Sequence, residues 1–395
     1  MRALRALLIL PLFALLLTGC WDRIEINDLA IVTAAGFDLT DDQKIKLSIQ
    51  IYTPTDSSGG GSPEQSQGGG PKIGNKKALI ESAVGVNTAD AESKLQELLS
   101  RKLFWGQADV FIISSRLAEH GISDPMDFLS RHPHPRERAN LFVSKGSADE
   151  ILQWQPSIER NSAEMLREMT VLHDSLNMTL LDVIVMLADE AHAAVIPWVS
   201  IKPSGNRDSP FIGGTASFKN LKMNAMFDER KSRGMLWLRN EIRQATLTTS
   251  LKDQPGLISV QLADSHCWIK PEMVDGRLGI KIKVEGTGSL IENTTSADVA
   301  KPEVIKPLQK QYEKAVVERI KRTVTAAKQA NTDILGFANQ FHRHYPSQWR
   351  EMKPAWDTLF PTIPVRYEAH ITIMRTGLVG KNVNHTKDIQ EGGKR

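Results

Sequence analysis

Hydrophobic positions alternate with polar ones in some stretches of the chain and recur every three or four residues in others, which separates strands from helices. Ile45, Leu47, Ile49 and Ile51 alternate with Lys46, Ser48 and Gln50, predicting a strand over 44–52 with one buried face. Leu29–Val32 predicts a strand before it, with Thr40-Asp41-Asp42-Gln43 as the turn between them. Ala78–Val86 predicts a further strand, and Asp90–Leu103 a helix with Leu95, Leu98, Leu99 and Leu103 at helical spacing. Val110–Ile113 and Leu141–Val143 are continuous apolar runs of the kind that fill central strands. Ser147-Ala148-Asp149-Glu150 has the Ser-x-x-Glu form of a capping box and predicts a helix start.

Residues 160–192 are predicted largely helical: Met165, Met169, Leu172 and Leu176 fit one face, and Thr179–Asp182 reads as a second helix start. Ala194–Ile201 is extended, and Lys202–Pro210 has the composition of a linker. Beyond it, Gly214–Phe218 and Leu221–Phe227 predict paired strands around Lys219-Asn220, and a short helix covers 229–240. Strands follow at 243–249 and 257–262, and Asp275-Gly276 marks a hairpin ahead of Leu278, Ile280, Ile282 and Val284. Ile305, Leu308, Tyr312, Val316, Ile320 and Val324 predict one long helix over 303–341. Val365, Tyr367, Ala369, Ile371 and Ile373 predict a final strand of period two.

These elements imply an α+β fold in three domains, with mixed or antiparallel sheets packed with helices and a long amphipathic helix in the last. The expected divisions are an N-terminal α+β domain over 20–150, a mainly helical middle domain or connector over 151–205, and a C-terminal α+β domain over 206–380. Residues 53–77 are rich in Gly, Ser, Pro and Gln; too little apolar surface is on offer to offset their ordering entropy, so a flexible loop is expected. Residues 381–395 form a polar tail.

The first residues stand outside this pattern. Arg2 and Arg5 precede an apolar run from Leu7 to Leu17, interrupted by Pro11 and followed by Thr18-Gly19-Cys20. That run is shorter than the ~20 residues of a membrane span. Basic residues, a short apolar stretch and small residues before a scissile bond make a secretory signal. A cysteine placed directly after them makes it a lipoprotein signal over 1–19, cleaved after Gly19. Cys20 is then the S-diacylglyceryl and N-acyl site. A single acyl chain binds a membrane only reversibly, at ~0.8 kcal/mol per buried CH₂, so more than one is needed for stable anchoring. The protein is expected on the outer face of the cytoplasmic membrane, with Trp21 at the interface that indole rings favour.

Composition narrows the chemistry. The net charge of +3 falls to +1 once Arg2 and Arg5 leave with residues 1–19, giving no reason to expect nucleic acid. Only Cys20 and Cys267 are present, so an acylated Cys20 leaves Cys267 without a disulfide partner, and a buried structural thiol is expected there. His132/His134 and His342/His344 are the close histidine pairs, but no His-Glu-x-x-His or Cys-x-x-Cys accompanies them, so no metal site is expected. No P-loop or Gly-x-Ser-x-Gly elbow is present, and no catalytic residue or cofactor is expected. On the 229–240 helix, Trp237 is expected in the core, with Arg233 and Arg239 as candidate partner contacts.

Cys20-Trp21-Asp22-Arg23, continuing through Glu25–Val32, resembles the mature start of Ger(x)C proteins, the lipoprotein C subunits of nutrient germination receptors in endospore-forming bacteria. Lys102–Gln107, Arg233–Asn240 and the ending from Phe360-Pro361 to Leu378 resemble the same family, in order along the chain. The Gly/Ser/Gln-rich insert at Ser57–Gly70 is a departure from it. The resemblance implies a three-domain α+β architecture and a non-enzymatic role in receptor assembly or signal transmission. It also implies multi-pass A-type and transporter-like B-type subunits as partners, in the spore inner membrane. A solute-binding lipoprotein of a transporter is the alternative, and an exported hydrolase the third; the first would show repeated βαβ units in two lobes, which the pattern lacks.

Overall fold

The computed structural model describes residues 25–53, 78–156, 158–172, 175–204, 207–242, 245–251, 254–274, 277–299 and 301–375. Expectations for the signal segment, Cys20, residues 54–77, Asp275-Gly276 and the tail lie outside the described residues.

The spine of the larger sheet is β1 (Leu29–Leu39), buried on both faces from Ala34 onward. It pairs antiparallel with β2 (Ile45–Ile51), which pairs with the edge strand β3 (Leu79–Gly85). Helix α1 (Thr88–Leu98) is capped by Asn87, whose side chain accepts from Asp90 N–H. The helix stops five residues short of expectation. Gln96 folds over the next turn, donating to the Arg101 carbonyl and accepting from Leu103 N–H, both at 2.9 Å. Leu103 thus enters β4 (Lys102–Phe104), which lies parallel to the start of β1.

Strand β5 (Val110–Ser114) lies parallel to the second half of β1, and after helices α2 (Ser115–His120) and α3 (Ser123–Arg131), β6 (Asn140–Ser144) lies parallel to β5. In β5 the side chains divide by parity. Phe111 and Ile113 join the main core under Leu117, Met126 and Leu129, while Val110 and Ile112 join a second cluster on the other face. That second face is covered by α4 (Ala148–Gln153) and α5 (Ser162–Val171) through Ile151, Leu152, Ala163 and Leu166. Two anchors hold α4 there. A Cβ on Gly36 would stand 2.9 Å from Ala148 Cβ, so the glycine admits the helix. The buried Asp38 carboxylate accepts from Ala148 N–H at 2.9 Å and Asp149 N–H at 3.2 Å, beside the Ser147 cap. Burial raises the Asp38 pKa above the ordinary carboxylate value, against the pull of those bonds.

Helix α6 (Leu180–Ala188) begins with a capping box between Thr179 and Asp182. It is followed by β7 (Ala193–Ser204), β8 (Arg207–Lys219) and β9 (Lys222–Asp228), which complete a nine-stranded sheet ordered β3-β2-β1-β5-β6-β7-β8-β9, with β4 the ninth strand, off this path and paired to β1. The stretch expected as a linker is strand: Ile201 pairs with Pro210 and Lys202 with Ser209. Strand β7 meets β6 only at Trp198 and Val199, so farther along its outer edge carries no ladder for Pro203 to break. The division expected at 205/206 therefore falls inside a hairpin, and the larger sheet passes across it. The β8–β9 turn uses left-handed Asn220 and Leu221, at φ 50 and 63°.

Helix α7 (Glu229–Leu238) leads from this sheet to the second one, ordered β10-β11-β12-β13. Strand β10 (Ala245–Thr249) flanks a long hairpin of β11 (Ile258–Val274) and β12 (Arg277–Asn293). Helix α8 (Pro302–Gln329) buries Leu308, Tyr312, Val316, Ile320 and Val324, the stripe predicted from the spacing. The single helix expected over 303–341 is two. Asn331 and Gly336 take left-handed conformations, and α9 (Phe337–His344) restarts on the buried Asp333, whose carboxylate accepts from Phe337 and Ala338 N–H. The apolar spacing persists across the break because Phe337 and Phe341 turn into the same core. Helices α10 (Pro346–Met352) and α11 (Trp356–Leu359), and the 3₁₀ turn Phe360–Thr362 that follows, add Trp349, Trp356 and Phe360 to that aromatic cluster. Finally β13 (Val365–Arg375) lies parallel to β12. The result is α+β, with a mixed sheet in each half. No helix among the described residues is long and apolar enough to cross a membrane.

Candidate interaction site

The residues singled out on α7 sit where the two sheets meet. Asp228 caps the helix by accepting from Lys231 N–H at 2.9 Å. Gly234 faces α8: a Cβ there would lie 2.3 Å from the Thr323 hydroxyl, 2.7 Å from the Arg319 carbonyl and 2.9 Å from Ile320 Cα. The glycine thus sets the distance between the helices, and Thr323 Oγ1 donates to the Lys231 carbonyl across the crossing. Trp237 is 1% exposed, a core residue as its neighbours suggested.

The two arginines have different surroundings. Arg233 is exposed and pairs with Glu229 one turn earlier on the helix. Arg239 is half-buried, held by Glu241 at 2.6 Å and Asp182 at 3.7 Å, with the Met186 sulfur 3.8 Å from its Nη1. It ties the end of α7 to α6, while Arg233 faces outward.

Sequence reasoning passed over Asn240. At φ 59° it turns the chain after α7 and its amide lies along β11 like a strand partner to Cys267. The signal available was an Asn directly after a helical pattern, where left-handed C-terminal residues are common. Cys267 itself is buried, and burial pushes its thiol up to about 12, as expected of an inert structural cysteine.

The histidine pairs have local partners. His132 Nε2 lies 3.3 Å from Glu92 and packs among Trp105, Phe128 and His134; burial lowers its pKa. His342 Nδ1 lies 3.0 Å from Glu190, which also pairs with Lys353 and accepts from the Trp349 indole. Among the described residues no three His, Cys, Asp or Glu side chains converge as a metal site.

At the N-terminal end, Glu25 leads through one turn of 3₁₀ helix at Ile26–Asp28 directly into β1. Comparison with known proteins identifies the family. Residues 22–201 match the spore germination protein N-terminal domain, and residues 213–377 match the spore germination B3/GerAC-like C-terminal domain. A putative spore germination protein YfkR of Bacillus subtilis is 30% identical over 95% of this chain and 98% of its own length. Spore germination protein KC of the same organism is 28% identical over 97% of this chain and 98% of its own. The fold is that of the GerBC protein crystal structure, with a TM-score of 0.55 at 17% identity over 86% of this chain and 96% of that one. The chain belongs to the Ger(x)C family of spore germination receptor C subunits.

Proposed function

We propose that this chain is the lipid-anchored, non-enzymatic C subunit of a nutrient germinant receptor, acting with A-type and B-type membrane subunits at the spore inner membrane in receptor assembly or signal transmission. The observation that carries the reading is the order of its parts: Leu17-Thr18-Gly19-Cys20 stands immediately ahead of a chain that matches the family's two domains over residues 22–201 and 213–377. Eight residues lie between Cys20 and Leu29, the first residue of β1. Their fully extended reach is about 30 Å, which keeps the folded part near the bilayer. Of the two α7 arginines proposed as contacts, Arg233 is the more available for a partner, since Arg239 is already enclosed by Glu241 and Asp182.

Cys20→Ala tests the anchor. The variant is expected to leave the membrane fraction of spores and to impair germination on the nutrients that receptor serves, with sporulation intact. A variant that stays membrane-bound and germinates as the parent does would remove the lipid from the account.

A further inference from the structure

Where α7 crosses α8, a cleft of about 420 Å³ opens between the two sheets. Its volume lies in the range of small-molecule sites, roughly 300–1,000 Å³. The Gly234 contact backs onto the turn of Arg319, so Arg233 and Arg319 both line this cleft. Burial and the positive charges of Arg233 and Arg322 disfavour the Arg319 guanidinium. Arg233 has Glu229 as a counter-ion, whereas no carboxylate among the described residues pairs with Arg319. A partly buried cation without a partner is costly.

Two further donors line the same cleft. Ser175 Oγ and the Trp237 indole nitrogen are buried and have no hydrogen-bond partner. Buried donors without acceptors are few in folded proteins and each calls for an explanation. Here a guanidinium, a hydroxyl and an indole N–H line one cleft, and the carboxylate that lines it with them, Glu229, is already paired with Arg233; an oxyanion, which only accepts, can take a hydrogen bond from each of the three. Phe211 and Ile212 of β8 supply an apolar wall.

We infer that this cleft binds a small organic anion, its carboxylate or phosphoryl oxygens accepting from Arg319, Ser175 and Trp237, Arg233 standing beside them, and its apolar body resting on Phe211 and Ile212. The assignment is independent of whether Cys20 is acylated or which subunits assemble around the chain.

Titration calorimetry on the full-length chain in neutral detergent tests it, with benzoate and inorganic phosphate as separate probes. Benzoate is expected to bind saturably, weakened about tenfold in Arg319→Gln and less in Ser175→Ala, and unaffected in Arg343→Gln on α9. Saturable phosphate binding with the same variant dependence, without benzoate binding, assigns the site to a phosphoryl group instead of a carboxylate. The inference is overturned if neither probe binds below roughly 20 mM, or if the affinity is the same in the parent, Arg319→Gln and Ser175→Ala. Thermal unfolding of each variant, matching the parent, establishes that a lost signal is lost binding. Ser175→Ala removes one exchangeable hydroxyl and serves as the second probe if Arg319→Gln unfolds early.

Discussion

The Asn240 side chain pairs with the backbone of Cys267 in both directions: its Nδ2 donates to the carbonyl at 3.2 Å and its Oδ1 accepts from the N–H at 2.5 Å. The amide thereby acts as a short strand against β11 and fixes the end of α7 to the second sheet. Asn240→Asp keeps the shape and the left-handed conformation but replaces the donor with a second acceptor facing a carbonyl. It is expected to cost about 1–3 kcal/mol in urea unfolding. Asn240→Gly, which meets the backbone requirement without either bond, is expected to be less damaging than the aspartate.

Gly234→Ala places a methyl where Arg319 and Ile320 backbone atoms already stand. Alanine gains ~1 kcal/mol of helix propensity over glycine, but overpacking of this kind costs about 1–3 kcal/mol. Because these obstacles include backbone, α7 and α8 must separate. Reduced thermal stability together with altered protease sensitivity near residues 239–245 is the expected result; an unchanged unfolding temperature would mean that the crossing is looser than described.

Asp333 is fully buried and its pKa is raised to about 6, by burial and against the N–H groups of Phe337 and Ala338 that it accepts. An unfolded aspartate titrates near 3.9. Between those values the folded state holds a proton that the unfolded state has released, so this group's contribution is present below about 4 and is lost as pH rises through about 6. Urea titrations at pH 4.5 and 7 are expected to show the parent losing about 2 kcal/mol relative to Asp333→Asn over that interval. Parallel pH dependence of the two proteins would contradict it.

Cys267 is 6% exposed and its thiol is pushed up to about 12, so little thiolate exists at neutral pH. Iodoacetamide at pH 8 is expected to leave it unmodified in the native protein and to label it once urea unfolds the second sheet, as mass spectrometry of the intact chain would show.

Much of the fold was legible because its signals are local. The alternation in 365–373 and the stripe from Leu308 to Val324 each report a burial direction that the core then satisfies, whereas the alternation in 45–51, read as one buried face, belongs to a strand buried on both, with Ser48 and Gln50 inside as well. Misreadings arose where tertiary pairing outweighed composition. Pro203, Gly205 and Pro210 look like a linker, yet the ladder between β7 and β8 runs through their neighbours. Ser265-His266-Cys267 carries no clean alternation, yet it lies within a strand paired along its length to β12. The end of α8 was hidden because Phe337 and Phe341 continue its spacing from another helix. At the interaction site Arg233 was visible as a charge on an amphipathic helix. Arg319 was not, since nothing in the sequence near 319 reports that Gly234 will draw α7 against it.

The short lead into β1 has a mechanical consequence. A pull arriving through Glu25 enters the larger sheet at an interior strand, which pairs with β4 at its start and then runs between β2 and β5. Load applied along such a strand is shared in shear by ladders on both sides, whereas an edge strand would peel away one bond at a time. A tether at that point would let the sheet follow lateral movement of whatever holds it as a single unit, without unravelling from its attachment.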